Sequence, residues 1–476
     1  MRNNLMVTRR RMLQCAGGLF AAATVRPRYA DAAEVSAAMT TLSTYMSGAA
    51  TMRLPDPVVE KTKHMILDTL AAMISGSELP PGRFAIQFAR AYGGNPVATV
   101  VGSTVRCGPI EAALANGILA HSDETDDTHP PSQSHPGCAA IPAALAVGEK
   151  FGVDGTRFLR SVALGYDVGT RVTATLGKLQ YMVESHRSTH GISGTFTAAA
   201  AAGCAAGLNA QQTSGLASWQ RDTDHIEKAF DFGGMPARNG VTSALLVQAG
   251  GTGVDDVLSG ADNFFVAFVP RNNPAMVVEE LGRRFEIMRT DIKKWTVGAP
   301  IQAPLDALDT LLKQYRFQPA QVKQVVVRVA TDEATIVNNR EIPDINLQHL
   351  IAVMLVDGTV TFKSAHDAAR MTDPAILRER AKVQLAPDEA LERLLPQRTA
   401  IVEVTLTDGR MVSERVGTVR GTAANPMTRA DVIAKARDLI VPVQGAATFD
   451  KLVERVFDIE NVKNVVELRP LLQRAG

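Results

Sequence analysis

The chain has 476 residues, more than one ordinary hydrophobic core accommodates, so two domains or one large domain with a lid are expected. A hydrophobic share of 46%, a charged share of 21% and a formal net charge of +1 indicate a globular protein without the strongly basic surface that binds nucleic acid or anionic lipid. Aromatic residues make up only 5%, while alanine and glycine are abundant, which favours closely packed helices over a sandwich of sheets.

The first 32 residues have the pattern of an export signal. TRRRMLQ at 8–14 fits the twin-arginine motif, a short apolar run follows at 12–25, and Ala30 to Ala32 form a small-residue cleavage site. We therefore expect residues 1–32 to be a twin-arginine-type signal peptide. It would take the protein to the periplasm through the twin-arginine machinery and leave no membrane anchor. A frayed basic N-terminus is the alternative.

Residues 35–290 are predicted to be helical almost throughout. In DPVVEKTKHMILDTLAAMISG, Asp56 is the expected N-cap, Pro57 the first helical residue and Gly76 the stop, around a clear 3.6-residue apolar period. Similar runs follow at 109–121, 137–150, 155–175, 193–206 and 210–219. Their many small residues predict helices that are buried on most sides.

The pattern changes after about residue 318. VKQVVVRVA (Val322–Ala330) and AIVEVTLTDGRMVSERV (Ala400–Val416) alternate as strands do, and the second contains the hairpin turn Asp408-Gly409. Helical patterns lie near 345–357 and 363–370, and Thr428 with Asp431 predicts a capped final helix. We predict a mainly α fold: a large all-helical domain at 35–290, a smaller α+β lid domain at 291–430, and C-terminal helices at 431–476 that pack back on the first domain.

The stretch HSDETDDTHPPSQSHPG, residues 121–137, concentrates groups that can carry a proton. It contains His121, Asp123, Glu124, Asp126, Asp127, His129 and His135. The spacing does not fit a calcium loop, and prolines stiffen the chain between the last two histidines, which argues against a metal cage without excluding it. A solvated loop is the second alternative. Because the stretch lies between two alanine-rich runs, we favour a third, an acid/base site that lines a cleft.

Further polar residues are spread along the chain. His186 and His190 are four residues apart, Lys228 and Arg238 flank a glycine turn, and Lys293 precedes the change of pattern. With a His/carboxylate cleft, the cations would form clamps for a small polyanion. The cysteines beyond the signal are three in number and lack CxxC spacing, so neither a disulfide framework nor a thiolate metal site is indicated.

Four ordered blocks resemble the MmgE/PrpD family, whose members include dehydratases, decarboxylases and epimerases of small carboxylic acids. They are ANGILAHSDETDDTHPPSQSHPG followed by AAIPAALAVGE, then HGISGTFTAAAAAGCAAGLNAQQ, KAFDFGGMPARNGVTSALLVQAGGTGVDDVLSG and NPMTRADVIAKARDL. The resemblance covers nearly all of the chain beyond the signal. It implies a helical domain joined to a smaller α+β lid, a homodimer, and an active site between the domains that uses no metal or other cofactor.

The resemblance also implies roles for individual residues. Glu124 stands where the family usually has Asp, Thr128 and His135 match its Thr and His, and Lys228 and Lys293 match its two lysines. Three positions depart from the family pattern: Gly298 falls where some decarboxylases carry His, His349 where Tyr is common, and Asp231 where His is frequent.

Acid/base chemistry beside a carboxylate builds enolate charge, so it needs a base of near-neutral pKa and fixed cations. His135 suits the acid or base role, oriented by Glu124 or Asp127, and Thr128 would bind a substrate oxygen. We further predict His349 for a second proton transfer. The predicted substrate-binding residues are Lys228, Lys293, His190 and Arg238.

The expected function is therefore that of an exported hydro-lyase acting on a 2-methylcitrate-like acid. Because the same pocket could lose carbon dioxide or invert a stereocentre through related carbanion-like states, a decarboxylase and an epimerase are the alternatives within the family. A periplasmic carboxylate-binding protein is the alternative of a different class, although the strand and helix alternation typical of such receptors is absent from the sequence.

Overall fold

The computed structural model describes residues 35–208, 225–251, 256–260, 263–268 and 274–474. The predicted signal peptide at 1–32 and the helical run predicted at 210–219 lie outside the described residues. Within the described ranges, the prediction of a mainly α fold with a smaller α+β part is confirmed.

The N-terminal part is an assembly of helices. Its helices are α1 (Ala37–Gly48), α2 (Asp56–Gly76), α3 (Pro80–Tyr92), α4 (Pro109–Ala120), α5 (Gly137–Phe151), α6 (Gly155–Ala174), α7 (Lys178–Ser185), α8 (Thr189–Ala206), α9 (His225–Lys228), α10 (Met235–Gln248) and α11 (Phe264–Phe268). A π-helix, Ala229–Gly234, joins α9 to α10, and a two-stranded ladder pairs β1 (Ala98–Thr99) with β2 (Arg106–Cys107). The predicted N-cap Asp56 is wrong by one residue, because Pro55 takes that position and Asp56 begins the helix.

Small residues let these helices approach closely. In α8, a run of alanines is almost fully buried between α6 and α10, and Ser188 caps the helix by accepting a hydrogen bond from the Gly191 N–H at 3.1 Å. Gly117 of α4 meets Gly233 of the π-helix so closely that a Cβ built on Gly117 would lie 2.4 Å from the Gly233 carbonyl oxygen. This contact fixes the π-helix against the helix that precedes residues 121–137.

The second unit is built on a four-stranded sheet in the order β4, β3, β5, β6. These strands are β3 (Val322–Ala330), β4 (Val383–Asp388), β5 (Ala400–Leu406) and β6 (Met411–Val416), and its helices are α12 (Gln302–Tyr315), α13 (Thr331–Val337), α14 (Leu347–Asp357), α15 (Phe362–His366), α16 (Pro374–Arg380) and α17 (Glu389–Glu392). β3 pairs parallel with β4 and antiparallel with β5. The turn at Gly409, with φ of +90°, joins β5 to β6 as the sequence predicted.

The strand β4 was not predicted from the sequence. Its burial does not alternate, and it contains Pro387, which donates no backbone hydrogen bond. Such a strand is tolerated because β4 lies at the edge of the sheet. Buried residues of β3, β5, α12 and α14 form a hydrophobic cluster of their own, separate from that of the N-terminal helices.

The C-terminal helices pack on the N-terminal helices. They are α18 (Arg429–Gln444), α19 (Ala446–Phe457) and α20 (Arg469–Leu472). Leu439 of α18 and Phe449 of α19 share one hydrophobic cluster with Leu70 of α2, and Lys435 forms a buried ion pair with Asp68 at 2.6 Å. Thr428 caps α18 in the predicted capping box. Among the described residues, no helix is long and apolar enough to cross a membrane.

Alanine at position 117 should destabilise the protein. We expect Gly117→Ala to lower the free energy of unfolding by about 2 kcal/mol, because its Cβ must displace the Gly233 backbone. Gly203→Ala in α8 is the matched control, since a Cβ there meets nothing within 4 Å and should stabilise the helix by about 0.5–1 kcal/mol. Urea unfolding of the two variants measures both values, and equal effects would contradict the close contact.

Candidate active site

A cavity of about 320 Å³ lies where the N-terminal helices meet the sheet-containing unit. Both units supply polar lining side chains, namely Glu124, Thr128, Gln133, His135, His190, His225, Lys228, Arg340 and Arg398. An adjoining cavity of about 470 Å³ shares Thr128, Ala299 and Arg398 with it and is also lined by Lys293.

Residues 121–137 form a buried loop beside this cavity. The loop leaves α4 at His121 and contains a 3₁₀ turn at Pro130–Ser132. Thr128 then forms a β-bridge with Asp291, which ties the loop to the beginning of the second unit. The six titratable residues from His121 to His129 are each at most 7% exposed. The alternative of a solvated loop is therefore wrong.

Glu124 lies between two lysines. Its Oε1 contacts the Nζ of Lys228, and Lys293 Nζ is 3.3 Å from its Oε2 and donates a hydrogen bond to its main-chain carbonyl at 2.8 Å. Burial alone would raise the pKa of Glu124, but the two ammonium groups hold it well below its ordinary value. The two lysines that were predicted to hold substrate carboxylates thus converge on a carboxylate of the protein itself.

Asp126 contacts two of the three histidines of the loop, His121 and His135. Its Oδ2 is 2.9 Å from His121 Nδ1, and its Oδ1 is 3.4 Å from His135 Nδ1. Although burial opposes ionisation, the two imidazoles hold the pKa of Asp126 far below its ordinary value. The sequence had assigned the role of orienting His135 to Glu124 or Asp127, and for the side chains of both residues that assignment is wrong.

Asp127 faces away from the cavity. Its main-chain carbonyl contacts His135 Nδ1 at 2.5 Å, whereas its carboxylate accepts a hydrogen bond from the Tyr166 hydroxyl at 2.6 Å and contacts the N–H of Gly137 at 3.1 Å. Burial and the neighbouring Asp126 raise the pKa of Asp127 to about 7. This carboxylate supports the loop from behind and does not line the cavity.

The cavity wall contains a stack of aromatic rings. His190 is stacked on Phe232 with 4.0 Å between ring centroids, and the His135 ring centroid lies 4.8 Å from that of His190 and 6.1 Å from that of Phe232. Burial and the neighbouring His135 hold the pKa of His190 well below its ordinary value, so this imidazole is neutral at neutral pH. Thr128, also predicted, lines the cavity, and its hydroxyl has no hydrogen-bond partner among the described residues.

Besides Asp127, two further predicted residues are not part of the lining of either cavity. His349 is fully buried in α14, is not among the residues that line the cavity, and has a pKa lowered to about 4 by burial and by Arg380 and Arg370. Arg238 lies on α10 and is likewise not among the cavity residues. Of the positions that depart from the family pattern, Gly298 lines the cavity, and Asp231 is buried in the π-helix.

A buried chain of acids and imidazoles was not predicted from the sequence. His225 Nε2 is 3.1 Å from Asp344, and His366 Nε2 is 2.8 Å from Asp123. The two partners of each pair are far apart in sequence. No local sequence pattern could therefore have predicted these contacts. Carboxylates on either side raise the pKa of His366 to about 9 against the opposing effect of burial.

Among the residues that the structure describes, two groups of side chains have atoms close enough to share a metal ion. They are His121, Asp126 and Cys138, and Asp126, Asp127 and His135, with ligand atoms within 4.8 Å of one another. In both groups Asp126 already contacts a histidine of the group. These side chains therefore offer candidate ligands for the alternative of a metal site. A bound ion would have to displace the contacts between Asp126 and the histidines.

Models of one family match both units of the chain. The MmgE/PrpD N-terminal domain matches residues 40–276 and the MmgE/PrpD C-terminal domain matches residues 295–459. The resemblance inferred from the four sequence blocks is thereby confirmed.

Curated proteins match over almost their whole length. Cis-aconitate decarboxylase of Homo sapiens is 25% identical over 469 residues, covering 90% of this chain and 93% of its own. Cis-aconitate decarboxylase-like protein oryM of Aspergillus oryzae is 24% identical, covering 88% of this chain and 94% of its own. Cis-aconitate decarboxylase of Aspergillus terreus is 23% identical over 479 residues, covering 90% and 94%.

Removing the charge of Glu124 should destabilise the protein. We expect Glu124→Gln to lower the free energy of unfolding at pH 7 by about 3 kcal/mol, because Lys228 and Lys293 lose their shared counter-charge. Since its pKa is depressed, Glu124 stabilises the fold above its ordinary value of 4.5, and that contribution is lost as the pH falls. Glu124→Asp keeps the charge and is the control. Urea unfolding curves that coincide for Glu124→Gln and wild type would contradict the pairing.

The His366–Asp123 contact should make stability fall in alkali. Because the pKa of His366 is raised to about 9, its contribution is complete below the ordinary value of 6.5 and is lost as the pH rises through 9. We expect His366→Gln to remove roughly 3 kcal/mol at pH 6 and little at pH 10. Urea unfolding across this range measures the difference, and a loss independent of pH would contradict the ionised contact.

Proposed function

The chain belongs to the MmgE/PrpD family, and we therefore propose that it is a lyase acting next to a carboxylate of a small di- or tricarboxylic acid. The observation that carries the proposal is the charge of the cavity region. Among its described lining residues, three are cations, Lys228, Arg340 and Arg398, and one is a carboxylate, Glu124. The resulting excess of two positive charges suits an anion with two or more carboxylates.

Of the cations that line the cavity, Arg340 is the best placed to bind a substrate carboxylate that lies far from Lys228. It lines the cavity from the sheet-containing unit, and no carboxylate lies within ion-pair distance of its guanidinium among the residues that the structure describes. Lys228 lines the cavity from the opposite unit, beside Glu124. A substrate with carboxylates at both ends would therefore join the two units, which is the positioning that an active site between domains needs.

His135 is the base that takes the α-proton in a dehydration or an inversion. The loop fixes its Nδ1 against the Asp127 carbonyl and the Asp126 carboxylate, which leaves Nε2 for the substrate. Removal of a proton or of carbon dioxide next to a carboxylate leaves an electron pair on carbon, which spreads into the carboxylate as enolate charge. Lys228 and Lys293 are fixed cations that stabilise this charge as it develops, and the Thr128 hydroxyl is a hydrogen-bond donor for a substrate oxygen.

Two reactions have separate support. Decarboxylation of a cis-aconitate-like acid is favoured by the relatives, which are named as cis-aconitate decarboxylases or as similar to them. Dehydration of a 2-methylcitrate-like acid is favoured by Gly298, which lines the cavity at a position where some decarboxylases carry His. Both reactions pass through the carbanion-like state that the cations stabilise. Inversion of a stereocentre would use the same state without net loss of a group.

Proton NMR in deuterated water decides among these reactions. Citrate, 2-methylcitrate, cis-aconitate, malate and aspartate-like acids are incubated with the protein. Release of carbon dioxide with deuterium incorporated into the product indicates a decarboxylase, a new alkene without release of carbon dioxide indicates a dehydratase, and deuterium uptake with loss of optical activity indicates an epimerase. An acid that binds without conversion or exchange would overturn the lyase proposal in favour of a carboxylate-binding protein.

His135→Ala should lower kcat of a dehydration or an inversion by at least about 100-fold, because it removes the imidazole that takes the α-proton. His186→Asn is the matched control: His186 is exposed, lies away from the cavity, and has φ of 55°, which Asn adopts readily. Its kcat should equal that of wild type. Unchanged turnover in His135→Ala would remove His135 from the mechanism.

A further inference from the structure

We propose that His225 is a second catalytic residue of this cavity, a general acid that Asp344 of the opposite unit holds in its cationic form. The inference rests on the proposed lyase chemistry and adds the group that returns a proton to the substrate. His225 lines the cavity together with Glu124, His135 and Lys228. It comes from the four-residue helix α9, where no sequence motif marks it.

The position of the imidazole is set by one carboxylate. His225 Nε2 lies 3.1 Å from Oδ2 and 3.3 Å from Oδ1 of Asp344, whose side chain is only 2% exposed. Nδ1, the other ring nitrogen, is buried without a hydrogen-bond partner among the described residues. An imidazolium that donates Nε2–H to Asp344 therefore has Nδ1–H left for a bound substrate.

Asp344 is itself held on two sides. It lies in the 3₁₀ turn Pro343–Ile345, and its main-chain carbonyl accepts a hydrogen bond from the Gly298 N–H at 3.0 Å. Its Oδ2 is also 3.7 Å from His366 Nε2. Since Gly298 and Ile345 both line the cavity, the turn that positions His225 is part of the cavity wall.

The chain continues back into the N-terminal unit. His366 Nε2 is 2.8 Å from Asp123 Oδ2, and the Asp123 carboxylate accepts hydrogen bonds from the Thr125 N–H at 2.9 Å and the Thr125 hydroxyl at 2.6 Å. Asp123 and His225 belong to the N-terminal unit, whereas Asp344 and His366 belong to the other. The acid is therefore complete only when the two units are packed together around the cavity.

The charges that face His225 favour its cationic form. Burial lowers its pKa, and the ammonium of Lys228 acts in the same direction, but Asp344 and Glu124 outweigh them and raise the pKa above its ordinary value. His190 in the same wall is held neutral. Groups whose environments separate their pKa values in this way are suited to distinct roles, here an acid at His225 and a neutral hydrogen-bonding ring at His190.

The proton balance differs between the two candidate reactions. In a decarboxylation of a cis-aconitate-like acid the C–C bond electrons stay on the substrate when carbon dioxide leaves and spread through the double bond into a remaining carboxylate, and the allylic carbon next to that carboxylate takes the proton from His225 Nδ1. In a dehydration His135 takes the α-proton, the C–O bond electrons leave with oxygen, and His225 protonates that oxygen so that water departs. In both cases His225 becomes neutral and regains a proton from solvent.

Kinetics with the acid found by NMR test the role. We expect His225→Gln to lower kcat by about 100-fold or more while KM changes less than threefold. Asp344→Asn keeps the His225 imidazole but should lower its pKa. As the pH rises, the activity of this variant should therefore begin to fall at a lower pH than the activity of wild type. If the contact between His225 and Asp344 only held the two units together, Asp344→Asn would not shift the alkaline limb of the pH profile. His225→Asn and a thermal unfolding curve for each variant identify a folding defect, and His186→Asn is again the control.

A titration without substrate gives a second readout. With histidine labelled at ring ¹³Cε1, the His225 resonance is the one lost in His225→Gln. Its midpoint in the full-length wild type should lie above 6.5 and should fall in Asp344→Asn. A midpoint that Asp344→Asn does not change, or wild-type kcat in His225→Gln, would overturn this inference and leave the lyase proposal intact. A wild type that converts or exchanges no acid would instead overturn the lyase proposal, and the role of His225 with it.

Discussion

The structure depends on one electrostatic constraint, which is that a carboxylate taken out of water must find a cation or several hydrogen-bond donors. Transfer of an unpaired ionised group into the protein interior costs several kcal/mol. Residues 121–137 place four carboxylates in the interior within five positions, at Asp123, Glu124, Asp126 and Asp127. Each is satisfied by a different partner set, and these partners come from both units of the molecule.

This constraint also organises the cavity. Side chains of consecutive residues in a loop point in different directions, so neighbouring carboxylates receive opposite environments. Asp126 is held ionised between imidazoles, whereas Asp127, one residue later, contacts a phenol and has its pKa raised to about 7. The loop thus presents His135 to the cavity while Asp127 anchors it to α5 and α6. The same residues that make the loop costly to bury are the ones that give its histidines fixed positions.

Sequence patterns predicted what depends on local periodicity and capping. Spacing within a single segment was enough to predict the helix at Asp56–Gly76, the capping box at Thr428 and the strand Val322–Ala330. The same holds for the loop at 121–137. It could not be predicted that the carboxylate of Asp126, and not that of Asp127, contacts the imidazoles. The two residues are adjacent, and only the tertiary structure decides which side chain faces the histidines. His225 was missed since its partner is 119 positions away, and His349 was selected for its residue type although it is buried elsewhere.

The π-helix at Ala229–Gly234 has a consequence for how this chain tolerates change in length. A π turn contains more residues than an α turn, so Lys228 before it and α10 after it are out of the phase that a continuous α-helix would give them. Deleting one residue here would restore regular α geometry and rotate Lys228 by about 100° relative to α10. The ammonium would then leave Glu124 while the packing of α10 stayed the same. The length of this segment is therefore constrained by the charge pairing in the cavity, and folding of the helices alone would not require it.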